Sequence, residues 1–240
     1  MGAPDIDIRL GWFCPNICCA ELSPTLAFYE LLGFERIGGR PEENWATLRF
    51  GSTELHLFQG YIRENLLHWR GGDIAVIAEL ATLRGIEAET AFALDEEGAQ
   101  TLTLRDPAGN GIFFNTFPLE RRMFLEGVPY TERGLPAWPG SAADRMTWVL
   151  ATQDPRGLCD WYGWLGLESG EGSDPGTWEL RQDSTLILVD SGMTHNRIVV
   201  SYRTPGALQD CLLRLEARGH DIDSGVLHDP EGNEVVLSDQ

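Results

Sequence analysis

The chain has 240 residues, 42% of them hydrophobic and 23% charged, a balance ordinary for a soluble globular protein with a proper core and a length for one or two domains. Its 18 Lys and Arg stand against 37 Asp and Glu, a formal net charge of −19, and such a surface repels phosphate backbones and anionic lipid, which argues against nucleic acid and membrane partners. No apolar run approaches the roughly 20 residues of a membrane helix, and the opening Met1–Asp7 has neither the basic nor the apolar segment of a secretory signal, so a cytoplasmic location is expected.

The first feature along the chain is a crowd of thiols, Cys14, Cys18 and Cys19. With Cys159 and Cys211 the number is odd and the spacing follows no zinc pattern, so reduced, mostly buried cysteines are expected. Ser23-Pro24 predicts a helix start, with a side-chain oxygen for the orphan N–H groups and a proline where no donor is needed; Gly33 predicts its end. In Glu54-Leu55-His56-Leu57-Phe58 the leucines share one face of a strand, and Glu54, His56 and Phe58 share the other. Asp73 opens a second helix through Leu83, closed at Gly85, with Ile74, Ile77, Leu80 and Ala81 on one side. Asp106-Pro107-Ala108-Gly109-Asn110 reads as a tight turn before the strand Gly111–Asn115, in which Ile112 and Phe114 share a face.

From Pro118 to Asp144 the density of Pro and Gly predicts an irregular connection, held to the body by Phe124, Tyr130 and Trp138. Beyond it Asp154-Pro155 opens a helix closed at Gly166. Thr204-Pro205 opens another, closed at Gly219, with Leu208, Cys211, Leu212 and Leu215 facing the core. Asp229-Pro230-Glu231-Gly232-Asn233 repeats the earlier turn.

That repetition is general. Tyr29 and Gly33 match Tyr162 and Gly166 at a displacement of 133, as Trp45 matches Trp178. Ser52-Thr53 matches Ser184-Thr185 at 132, and the two Asp-Pro-x-Gly-Asn turns match at 123. The order is kept, and the second copy is shorter by about nine residues late in its course. The expected organisation is two tandem α+β domains, residues 8–118 and 145–240, joined by a linker over 119–144.

Three stretches now carry a resemblance: Phe28-Tyr29-Glu30-Leu31-Leu32-Gly33-Phe34, Glu54–Phe58, and Asp106–Asn110, each with a counterpart in the second copy. They resemble, in order, the helix, fourth-strand and final-turn signatures of the glyoxalase/bleomycin-resistance/dioxygenase group, the vicinal oxygen chelate superfamily. The resemblance implies two glyoxalase/bleomycin-resistance-like domains of four βαβββ modules, whose curled sheets enclose pockets. It also implies metal ligands on the first and last strands of a module. Those positions fall on Cys14, on His56, near Asn65 or Leu66 with His68 one step along the same face, and on Phe113. In the second copy they fall on Thr147, Leu188, a position near Arg197, and Val236.

Because Phe113, Leu188 and Val236 carry no donor, and an enzymatic divalent site wants about three protein ligands, the principal expectation is a metal-free cup that binds or sequesters a small organic molecule. Cys14, Trp45, His56, His68, Phe113 and Asn115 are expected to line it. Each has a plainer reading beside this one: a thiol buried inertly, a tryptophan of the core, histidines satisfied by neighbours. The alternative is a metal-dependent lyase, isomerase or dioxygenase, with a zinc-type divalent ion on Cys14, His56 and His68. A homodimer is the one protein partner left open. No phosphate loop, Ser-His-Asp set or nucleotide fingerprint is present.

Overall fold

A computed structural model describes residues 8–51, 53–127, 144–182, 185–220, 222 and 226–239. The first half opens with two short strands, β1 (Gly11–Phe13) and β2 (Asn16–Cys19), separated at Cys14-Pro15 because proline has no N–H for the ladder. It continues with helix α1 (Leu22–Leu31), strands β3 (Glu35–Arg40), β4 (Trp45–Phe50), β5 (Thr53–Gln59) and β6 (Leu66–Gly71), helix α2 (Ile74–Leu83), and strands β7 (Thr90–Leu94), β8 (Gln100–Arg105) and β9 (Gly111–Thr116). The strands form one sheet in the order β3-β4-β5-β2-β6-β9-β8-β7, with β1 paired to β6. The two βαβββ modules of this half therefore share a sheet, joined where β1 and β2 run antiparallel to β6.

Helix α3 (Pro118–Leu125) follows, so the stretch expected to be irregular opens as a helix. Phe124 packs edge-on against Trp12 with ring centroids 5.3 Å apart; Tyr130 and Trp138 lie outside the described residues. The second half comprises β10 (Arg145–Ala151), α4 (Pro155–Gly163), β11 (Glu168–Glu171), β12 (Thr177–Gln182), β13 (Thr185–Asp190), β14 (Arg197–Ser201), α5 (Ala207–Ala217), β15 (Val226–His228) and β16 (Glu234–Ser238). Its sheet runs β11-β12-β13-β10-β14-β16-β15, and among the described residues it has no counterpart of β7.

Local chemistry places most helix ends as expected. Asp154 accepts the Gly157 N–H at 2.9 Å and Asp73 caps α2. Helix α1 differs: it begins at Leu22 with Glu21 at its cap position, which leaves Ser23-Pro24 inside the first turn, where proline is still tolerated. Helix α5 likewise starts after Gly206 instead of at Thr204.

The period of two gives each sheet one apolar face. Leu55, Leu57, Trp69, Ile112 and Phe114 of the first half and Ile187, Val189, Ile198, Val200 and Val235 of the second are buried in a single core with α1, α2, α4 and α5. Two reciprocal clasps tie the halves. Tyr29 on α1 donates to Asp229 Oδ2 at 3.0 Å, and Tyr162 on α4 donates to Asp106 Oδ2 at 2.9 Å. Burial beside these carboxylates pushes both phenols well above their ordinary range, so each remains a donor. The turns that present the acids need a left-handed residue, supplied by Gly109 (φ 90°) and Gly232 (φ 85°). Amide pairs complete the clasps, Asn65 to Asn233 and Asn196 to Asn110, each at 2.6 Å.

A hydrogen bond to a charged acceptor contributes about 1.5–3 kcal/mol. Tyr29→Phe is expected to lower stability toward urea by roughly that amount, with Asp229→Ala costing more because the Asn233 amide also loses its acceptor. A loss under about 0.5 kcal/mol for both would show that the clasp is not structural.

Candidate metal centre

The polar face of the first sheet is built by the same alternation that builds the core. Register aligns Asn16 with His56 across β2 and β5, and His68 with Phe113 across β6 and β9. The Cys14 N–H donates to the His68 carbonyl at 2.9 Å, which sets Cys14 opposite His68. Side chains of adjacent register positions share a face, so β5, the break between β1 and β2, β6 and β9 bring His56, Cys14, His68 and Phe113 side by side.

The result is a compact donor group. One ligand atom from each of Cys14, His56 and His68 lies within 4.8 Å of the others. All three residues are buried, at 1%, 3% and 4% exposure. Cys14 Sγ is 3.7 Å from His68 Nδ1. The His56 and His68 rings are 5.6 Å apart.

Each histidine is oriented by a second residue. Asn16 Oδ1 lies 3.0 Å from His68 Nδ1, a pairing that puts the ring proton on Nδ1; His68 Nε2 is buried and has no hydrogen-bond partner among the described residues. Burial, the neighbouring His56 and the positive Arg70 hold His68 well below its ordinary pKa, so it is neutral near pH 7. Glu54, 1% exposed, places Oε1 2.5 Å from His56 Nε2. A carboxylate accepting one ring N–H leaves the other nitrogen of His56 as the donor, the arrangement that commonly orients metal-bound histidines.

Beside the donors a cleft of about 290 Å³ is lined by Trp45, Thr47, His56, Phe58, Tyr61 and Arg70. Arg70 pairs with Glu120 from α3 across this face. Of the residues expected in the cup, Cys14, His56 and His68 converge, and Trp45 lines the cleft. Phe113 lies against His68 with ring centroids 5.0 Å apart. Asn115 shares this face through its register with Arg70, and its Oδ1 is buried without a partner among the described residues. Sequence reasoning missed Glu54, Asn16 and the Arg70–Glu120 pair. Glu54 was within reach, two residues before His56 on the same face; the others depend on pairings far apart in the chain.

None of the five cysteines is in a disulfide; Cys19, Cys159 and Cys211 are buried and Cys18 is half-buried, and burial pushes Cys19 up to about 12 and Cys159 up to about 11.

The chain matches no family model and no curated protein sequence. Solved structures do match. One is a Mn(II)-bound glyoxalase from Novosphingobium aromaticivorans, at 13% identity and a TM-score of 0.60, over 97% of this chain and 81% of that one. The chain has the vicinal oxygen chelate fold. An extradiol ring-cleaving dioxygenase from B. fuscum shares that fold at 16% identity and a TM-score of 0.62, over 97% of this chain and 76% of the other. So does 2,2',3-trihydroxybiphenyl 1,2-dioxygenase from Sphingomonas wittichii, at 15% and 0.60, over 97% and 90%.

The expectation of a cup without a metal cofactor is overturned. It rested on the lack of a donor at Phe113, Leu188 and Val236; the register puts His68 at the fifth-strand position, and with Cys14 and His56 three donors converge without Phe113. In the second half of this vicinal oxygen chelate fold the register aligns Thr147, Leu188, Val199 and Val236. None supplies a nitrogen or sulfur donor, and the strand position expected near Arg197 belongs to Val199.

Glu54→Leu removes the acceptor from a buried ring N–H, which costs about 1–3 kcal/mol. Urea unfolding of the metal-free protein is expected to show that loss. Stability equal to the parent chain would mean that Glu54 does not orient His56.

Proposed function

We propose that the first half is a metal-dependent enzyme domain of the lyase or isomerase kind, holding a divalent transition metal on Cys14, His56 and His68 and acting on a small organic molecule in the adjoining cleft. The convergence of three buried donors within 4.8 Å supports it. The donor chemistry fits: neutral imidazole and thiolate suit zinc-type ions, and three protein ligands leave a coordination position for substrate. His68 Nε2, buried without a partner in the protein, carries a desolvation cost that a ligand to it would relieve.

When bound, such an ion supplies Lewis-acid polarisation of a substrate oxygen. The chain's own residues do the rest. Trp45, Phe58 and Tyr61 give a largely aromatic wall that favours a planar or apolar ligand body. Arg70 and Thr47 offer donors on the same cleft, Glu54 keeps His56 in one orientation, and Asn16 does so for His68. A lyase or isomerase is preferred to a dioxygenase because oxygen-activating non-haem iron sites use two histidines and a carboxylate, whereas the third donor here is sulfur and Glu54 is engaged with His56.

Metal analysis of the full chain, loaded with Zn²⁺ and desalted, should find about one ion per chain. His68→Ala and Cys14→Ala should each lower retention at least tenfold. A parent chain that retains no ion, or variants that retain it equally, would remove this reading.

A further inference from the structure

We infer that this site selects a thiophilic ion and discriminates against hard ions such as Mn²⁺, with Cys14 as the selecting ligand and Phe113 closing the side from which a fourth protein donor would come. The inference rests on the proposed metal centre and concerns which ion it takes.

Four adjacent inner-face positions surround the site. His56 stands on β5, Cys14 at the break between β1 and β2, His68 on β6 and Phe113 on β9, aligned by the Asn16–His56 and His68–Phe113 register and by the Cys14 N–H to His68 carbonyl bond. Three of the four carry donors, two of nitrogen and one of sulfur. The fourth is an aromatic ring whose centroid sits 5.0 Å from that of His68, tilted 40° to it. A carboxylate at that position would contribute an oxygen; a phenyl ring contributes an apolar wall.

Two side-chain oxygens beside the site are engaged with its histidines. Glu54 Oε1 meets His56 Nε2 at 2.5 Å, and Asn16 Oδ1 meets His68 Nδ1 at 3.0 Å. No Asp or Glu joins the donor group among the described residues. Hard ions prefer carboxylate, carbonyl and water oxygens, and thiolate favours softer ones. An ion placed here thus meets a sulfur, two imidazoles and a ring, a set that penalises Mn²⁺ well beyond the ordinary order of affinities. The matching positions of the second half, Thr147, Leu188, Val199 and Val236, carry no nitrogen or sulfur donor and do not compete for the ion.

The test uses the full chain, stripped of metal and titrated with Co²⁺, then with Zn²⁺ and Mn²⁺ in competition. Co²⁺ should give a near-ultraviolet thiolate charge-transfer band that Zn²⁺ abolishes and equimolar Mn²⁺ does not. Cys14→Asp should remove the band and lower the Zn²⁺ over Mn²⁺ preference by about 100-fold, and Phe113→Glu should raise Mn²⁺ affinity about tenfold, the range over which ligand-shell changes act. Should Cys14→Asp fail to fold, the parent's Co²⁺ band and Phe113→Glu decide alone. Co²⁺ bound without the thiolate band, or Mn²⁺ displacing Zn²⁺ at equal concentration, overturns the selection and leaves the metal centre standing. An unchanged preference in a folded Cys14→Asp, or in Phe113→Glu, does the same. Retention of no ion at all overturns both.

Discussion

Everything at this site depends on strand register. In a pleated sheet the side-chain period is two, so moving one strand by a single residue exchanges its faces completely. Here β6 is held against the first strand by the Cys14 N–H to His68 carbonyl bond and against β9 by a parallel ladder from Leu66 to Arg70. A one-residue slip of β6 would replace His68 by Leu67 or Trp69 and turn the imidazole into the core. Leu67 and Trp69 are among the most buried residues of the chain, so the slip would also expose apolar area. At about 25 cal/mol per Å², a tryptophan and a leucine together oppose it by several kcal/mol. The core thereby fixes the geometry of the polar face.

The polar face has its own cost. Glu54 is nearly inaccessible, and the Arg70–Glu120 pair is at most about one-eighth exposed. Removing charges from water is expensive, and pairing recovers that cost only with good geometry and further hydrogen bonds. Replacing both members of a buried polar pair by well-packed apolar residues is often neutral or stabilising, whereas removing one member alone is costly, so stability alone does not account for such pairs. What they share is proximity to the donors and the cleft: Glu54 behind His56, and Arg70 on the cleft wall with α3 supplying its counter-charge. The helix that opens the connection between the halves thus contributes to the same face as the strands.

Much of this was legible in the chain. Asp73 and Asp154 as caps, Gly33, Gly85, Gly166 and Gly219 as helix ends, and the alternation in Glu54–Phe58 are local signals, and the structure keeps them. Ser23-Pro24 misled because a serine before a proline matches a cap equally well inside a first turn. His68 was placed too loosely because sequence counting finds where a strand begins, not which residue faces which across a ladder. The metal-free expectation followed from the donorless Phe113, Leu188 and Val236, and sequence alone could not show that Cys14, His56 and His68 converge without them. Arg70 with Glu120 lies 50 positions apart and Asn16 with His68 lies 52 apart; only a folded backbone brings such pairs together.

The two halves share one set of contacts and differ in another. Both keep the Tyr–Asp clasp and the Asn–Asn pair, which are exchanged reciprocally and depend on each half retaining helix and turn. Only the first keeps donors. The exchange is also uneven: Glu231 of the second turn accepts the Ala20 N–H at 2.8 Å and the Thr25 hydroxyl at 2.5 Å, whereas its counterpart Ala108 has no side chain to do so. Asn233 meets Asn65, which in turn accepts the Cys18 N–H at 2.9 Å, so the second half reaches the strand that begins at Asn16 through two hydrogen bonds. Thr147, Leu188, Val199 and Val236 offer no nitrogen or sulfur donor, yet their half keeps its contacts with the first. Its remaining constraint is mechanical, to hold β2 and the start of β6 where Cys14 and His68 must face each other.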